Sequence, residues 1–290
     1  MPDQAFVPLP AIADHYEDDV LQLRYMPGRS ARLVIAITGV GHNMGAEQTE
    51  EFVASASANG ENHVLFVIDR KRSWFTQPGV IERTCAETQT LMAKIGCEAV
   101  STLGNSMGGY GAILLGKYLP VSACVAFAPQ YSMNRLIVFE RRWRKHRPNI
   151  RRAPVWGLNA ALSERTRYLI VYGDDPQDLK HQRKFRTADN LTMAVLPGGG
   201  HSPAARLKEL GQLQAVLTCG LAGDSDTFWQ IMDMCSIPDD HISPRRSALF
   251  MARSVLRDFR DGGRQCIATS GSTTSSSRSQ PWAVKRPCKP

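Results

Sequence analysis

Three kinds of side chain stand in an order that can do acyl chemistry. Ser106 lies in STLGNSMGGYGAILL, residues 101–115, where Gly104, Ser106 and Gly108 fit G-x-S-x-G. Asp174, Asp175 and Asp178 follow in YLIVYGDDPQD, and His201 stands in AVLPGGGHSPA. A serine hydroxyl is a weak nucleophile until a base takes its proton, and that base must be oriented by a third group. Glycine inside an element costs roughly 0.5–1 kcal/mol relative to alanine. The cluster of Gly104, Gly108, Gly109 and Gly111 therefore marks a backbone that turns tightly or is approached closely. The plainer alternative is a glycine-rich turn with an incidental serine.

The elements around these residues give them a common place. LVIAIT, HVLFVI, AVSTL, VSACVAFA, RYLIVYG and TMAVLP are short apolar runs bounded by Gly, Pro or Asp, and LQLRYM (21–26) adds an edge strand. Residues 46–58, 80–95, 107–118 and 203–218 read as helices between them. Nearly continuous apolar strands alternating with helices predict an α/β fold, a mostly parallel doubly wound sheet of about six or seven strands. Ser106 then sits on a strand-to-helix turn. The aspartates lie at a strand's carboxyl end, and His201 follows the last strand in a glycine-rich loop. All three stand at the sheet edge where open α/β sheets bind ligands.

In these pieces (GNSMGG, YGDDP and GGGHS) the chain resembles the α/β-hydrolase superfamily over about residues 21–218. The resemblance implies Ser106 as nucleophile on its elbow and His201 as base and then acid. For the orienting acid it favours Asp175, which directly precedes Pro176, with Asp174 and Asp178 left open. It also implies an oxyanion hole from the Met107 N–H and, in AITGVGHNMG, the Val40 N–H. A serine hydrolase follows as the expectation, most simply a carboxylic ester hydrolase. An acyltransferase with the same groups and a binding or scaffold protein on the same fold are the rivals.

Other residues carry weaker signals. His42 is a candidate substrate contact or a solvated loop histidine. Trp74, in IDRKRSWFTQPG, either lines a pocket or covers the rim of the core. Residues 131–166 are too long for a simple connection and predict an inserted basic helical lid. Within it residues 135–152 hold eight Lys and Arg against Glu140 alone. Arg141 and Arg142 there are candidates to grip an anionic substrate, against the commoner reading of a solvated face. The stretch PQYS…ERRW is similar to one in bacterial hydrolase-like proteins, with no substrate attached to it.

Composition excludes several classes. The 290 residues are 43% hydrophobic and 21% charged, as in ordinary globular chains. The net charge of +8 is concentrated in residues 135–152 and in the tail from 262 on, which argues against a nucleic-acid-binding domain. No run reaches the ~20 apolar residues of a membrane span. The opening residues lack a secretory pattern, and seven scattered cysteines without C-x-x-C predict reduced thiols in a cytoplasmic protein. No zinc motif, P-loop or dinucleotide fingerprint stands out, so neither metal nor cofactor is expected. We expect a hydrolase domain over 1–220, a helical extension over 221–260 and a disordered Ser/Thr-rich tail over 261–290. The expected partner is a small acyl substrate.

Overall fold

The computed structural model describes residues 8–41 and 47–235. Eight strands form one sheet: β1 (Ala13–Glu17), β2 (Leu21–Met26), β3 (Leu33–Ile37), β4 (His63–Asp69), β5 (Val100–Asn105), β6 (Val121–Phe127), β7 (Arg167–Gly173) and β8 (Leu191–Leu196). Their order is β1-β2-β4-β3-β5-β6-β7-β8. The pairs β1/β2 and β2/β4 are antiparallel and the rest are parallel. The sheet thus has eight strands, not six or seven. The additional one, β1, has no apolar residue buried, so it left no hydrophobic signal.

Alternation along the central strands feeds two cores. Leu33, Ile35, Ile37, Leu65 and Val67 face one layer with α2 (Val80–Ile95) and α3 (Met107–Leu115). Val34, Ala36, Val64, Phe66, Val125 and Phe127 face the other, with α1 (Val53–Ser57), α5 (Pro203–Glu209), α6 (Leu213–Leu221) and α7 (Ser225–Cys235). The buried residues of α2, at positions 80, 84, 88, 91 and 92, keep the period that lays one helix stripe on a sheet. The helix expected over 46–58 is only the five-residue α1 within the described part, and that over 203–218 breaks at Gly211, which has φ 70°. Phe228, Ile231 and Met232 of α7 join the second core, so part of the expected 221–260 extension packs within the main domain. Residues 236–290, including the rest of that extension and the tail, lie outside the described residues. No described helix is long and apolar enough to cross a membrane.

Residues 131–166 contain no α-helix, which corrects the helical lid. Two 3₁₀ helices, Arg144–Asn149 and Leu158–Ala160, interrupt turns and irregular chain. Pro148 and Pro154 remove backbone donors that a longer helix requires. The segment is tied instead to the loop after β4: Asn149 Nδ2 donates to Lys71 O at 2.7 Å, and the Arg151 N–H donates to Thr76 Oγ1 at 2.8 Å.

Candidate active site

The turn between β5 and α3 forces Ser106 into φ 55°, ψ −116°, a region that non-glycine residues seldom occupy. Close packing explains the glycines around it. A Cβ on Gly104 would lie 2.2 Å from the Gly108 carbonyl, and one on Gly108 would lie 2.1 Å from Ile37 O. Strand and helix backbones touch here, and no side chain fits between them. Strain of this kind costs on the order of 1–3 kcal/mol and persists only where the surroundings impose it. Met107 opens α3, where N–H groups have no intrahelical partner.

His201 approaches from the loop after β8. Its Nε2 is 3.3 Å from Ser106 Oγ, and its Nδ1 is 2.5 Å from Asp178 Oδ2. The Nδ1 proton is therefore the one shared with the carboxylate, and Nε2 presents a lone pair to the serine hydroxyl. The loop is steered by backbone contact: a Cβ on Gly173 would lie 2.1 Å from Gly200 O.

The three aspartates have three different places. Asp174 accepts the Gly198 and Gly200 N–H groups at 3.3 and 3.1 Å, holding the histidine loop. Asp175 is the N-cap of α4 (Pro176–Gln182) and accepts the Gln177 and Asp178 N–H groups at 2.8 and 3.1 Å. Asp178, one helical turn further on, meets His201. This corrects the preference for Asp175. An aspartate before a proline is the ordinary start of a helix, the proline occupying the first position, and a capping carboxylate is turned toward its own helix.

Asp178 is buried, with one oxygen on His201 and the other on Arg142 Nη2 at 2.7 Å. Arg142 is neither a free anion-binding group nor a solvated one. Its guanidinium donates to Glu140 at 2.6 and 2.9 Å, to Asp175 at 3.1 Å and to Asp178. Burial works to lower the Arg142 pKa, but its hydrogen bonds to Glu140 and Asp178 outweigh it and hold the pKa above the ordinary value. Burial likewise pushes the Glu140 carboxyl up, yet the nearby His181 ring and Arg142 hold it well below the usual carboxylate range. His181 Nε2 stands 3.6 Å from Glu140, outside hydrogen-bond distance, so this attraction is through space. Arg142 Nη1 is also 3.4 Å from His201 Nδ1. With the Nδ1 proton given to Asp178, that arginine is a neighbouring charge and not a bonding partner. Three carboxylates face this one guanidinium, leaving negative charge in excess where an imidazolium would form.

Trp74 lines no open pocket: it is fully buried, and its Nε1 donates to Gln130 Oε1 at 2.9 Å. The loop carrying it is shaped by Asp69, which accepts the Ser73 and Phe75 N–H groups and the Ser73 hydroxyl at 2.9–3.0 Å. Gln130, fully buried, was not singled out in the sequence; its Nε2 donates to Ser106 Oγ at 3.1 Å. Its sole signal was membership of PQYS…ERRW, which also contains Glu140, Arg142 and Trp143. The Trp143 ring lies 5.4 Å from that of His201. Val40 is buried on the loop after β3; its carbonyl accepts from Arg72 Nε at 2.9 Å, and the Gly39 N–H before it donates to Glu51 at 3.2 Å. His42 lies outside the described residues.

No protein-family model matches the chain, and no curated protein matches it in sequence. Solved structures do. Two structures of the capsule O-acetyltransferase of Neisseria meningitidis serogroup A are similar at 14% and 15% identity, with TM-scores of 0.50 and 0.51. Each match covers 70% of this chain and 93% of the other. XC6422 from Xanthomonas campestris, described as an α/β serine hydrolase without lid, is 14% identical over 76% of this chain and 97% of its own, with a TM-score of 0.49. At such identities the first two likenesses are ones of fold. The chain has the α/β-hydrolase fold: a mostly parallel eight-stranded sheet flanked by helices.

Proposed function

We propose that this chain is a serine hydrolase that cleaves a carboxylic ester through Ser106, His201 and Asp178. The observation that carries the reading is the run of contacts from Ser106 Oγ to His201 Nε2 at 3.3 Å and from His201 Nδ1 to Asp178 at 2.5 Å. His201 Nε2 takes the Ser106 proton while Oγ bonds to the acyl carbon. The oxyanion that forms is held by the Val40 and Met107 N–H groups, an arrangement in which each donor is typically worth about 2.7–4 kcal/mol. The imidazolium is stabilised by Asp178 and by the surplus carboxylate charge around Arg142. It passes its proton to the departing alkoxide as the C–O bond breaks. Water then attacks the acyl-enzyme, His201 accepts its proton, and Oγ leaves with that proton restored. The His201 imidazole is partly exposed, whereas Ser106 and Asp178 are buried.

Transfer of the acyl group to an alcohol instead of water is the second reading, supported by the fold-level likeness to an O-acetyltransferase. Product analysis on a series of esters of increasing acyl length, with and without a competing alcohol, tests both. Free acid as the product, lost in S106A without a fall in melting temperature, is the expected outcome. Acyl-alcohol as the dominant product favours transfer, and turnover persisting in S106A overturns both.

A further inference from the structure

Gln130 has no part in the contacts expected of a serine, histidine and acid, yet its side chain is directed at the reacting atom. It follows β6 by three residues, in a stretch where Ala128 has φ 42° and its N–H donates to Val171 O at 2.8 Å. Pro129 O is held by the Tyr172 hydroxyl at 2.8 Å. The backbone leading to Gln130 is therefore fixed on two sides. The amide's orientation is fixed as well. Trp74 Nε1 is a donor only, so the Gln130 atom 2.9 Å from it must be the oxygen. The NH₂ group then faces Ser106 Oγ at 3.1 Å, with Ala128 O at 3.5 Å beside it. Trp74 is itself fully buried, its ring tilted against those of Trp143 and His146.

We infer that Gln130 is a catalytic residue, an N–H donor to Ser106 Oγ, and that Trp74 is the positioning residue that aims it. The role presupposes Ser106 as nucleophile. With Gln130 donating to Oγ, the serine hydroxyl directs its own proton to His201 Nε2 and is held in the attacking rotamer. As that proton leaves, charge gathers on Oγ before the bond to the acyl carbon is complete. It gathers again when the acyl-enzyme breaks down: the Oγ–C bond cleaves, its electron pair returns to Oγ, and the His201 proton follows. Hydrogen bonds to charged oxygen are roughly twice as strong as those to neutral oxygen. The donor therefore stabilises the transition states more than the resting enzyme, which is what accelerates a reaction. Oγ is never fully anionic, so its loss should cost less than the 10²–10³ typical of an oxyanion-hole donor.

The rate at which a fluorophosphonate labels Ser106 in the full chain reads this directly. Q130M should slow labelling about ten- to a hundredfold, and W74F about threefold. The double variant should be no slower than Q130M, because Trp74 acts only through the amide. Should Q130M fail to fold, the near-isosteric Q130E decides. The carboxyl it introduces donates an O–H when protonated and only accepts when ionised. Its labelling rate divided by that of the wild type at the same pH should therefore fall as pH rises, a change that simple filling of space would not produce. Wild-type labelling with Q130M or Q130E equally fast, and a flat ratio across pH, overturns the role of Gln130 alone. Absence of labelling in the wild type removes the nucleophile, and the role of Gln130 with it.

Discussion

Two regions converge on Ser106, and they are built differently. The turns after β5, β7 and β8 are shaped by backbone against backbone: a Cβ added at Gly104, Gly108 or Gly173 would lie 2.1–2.2 Å from a neighbouring main-chain atom, that of Gly173 against Gly200 of the last turn. The stretch from Gln130 to Trp143 is irregular and is held by side chains: Gln130 between Trp74 and Ser106, Arg142 between Glu140 and Asp178. The first region sets where the serine and histidine stand. The second sets how their charges and protons are arranged. Steric construction tolerates no added atom, whereas an electrostatic one responds to the loss of a partner, and mutations should separate the two.

The largest expected effect is on turnover. D178N keeps the shape of the acid but loses its charge and favours the wrong histidine tautomer, for which a fall of about 10⁴ in kcat is typical. D175N, which keeps a side-chain oxygen to cap α4, should cost about tenfold or less in kcat and little stability. Steady-state kinetics on the pair distinguishes them, and equal losses would mean that the acid is misassigned. Next comes G108A, whose methyl would meet the β3 backbone at Ile37. Overpacking against a main chain that cannot retreat should cost about 3 kcal/mol or more, seen as a large drop in melting temperature or as insoluble protein. R142M should be milder, about 2–3 kcal/mol in urea unfolding, because it leaves Glu140 and Asp178 buried without their cation. Restoration by E140Q in the same chain would sharpen the case for charge over shape.

A last effect, confined to the pH dependence of stability, concerns the loop that carries Val40. Burial raises the Glu51 carboxyl from its ordinary 4.5 to about 7, opposed by the Gly39 N–H. The folded chain thus holds that proton more tightly than the unfolded chain. Its contribution to stability is complete below about 4.5 and is lost as pH rises through about 7. E51Q should flatten this loss, at most about 3 kcal/mol between pH 4.5 and pH 8. Urea unfolding at the two pH values checks it, and an unchanged pH slope would contradict it.

The same contrast explains what the sequence revealed. Ser106 and His201, which the fold brings within 3.3 Å, stood out in the sequence because close backbone packing is written in glycine, and glycine is conspicuous between apolar strands. The seven strands with buried apolar residues were legible for a similar reason, while exposed β1 was not. Asp178 was hidden by its neighbour: Asp175-Pro176 suggested a catalytic acid and is instead the opening of α4, whose N-cap signal was there to be read. Arg142 was singled out, but as a grip for an anionic substrate or a solvated residue, since the charge run carries no mark that this member meets three carboxylates of its own chain. Gln130 and Glu140 belong to chain with no period at all, so neither helix nor strand spacing could point them toward the site. Trp74 was read as a pocket wall or a rim residue, and its buried N–H donates to the Gln130 amide oxygen.

The claim on which the rest depends is that Ser106 is an activated nucleophile, and mapping a fluorophosphonate adduct by peptide mass spectrometry tests it most directly. The wild type should carry one adduct, on the peptide holding Ser106, and H201A should carry none on the same timescale while remaining folded. A wild type that stays unlabelled, or an H201A protein labelled just as fast, would contradict it.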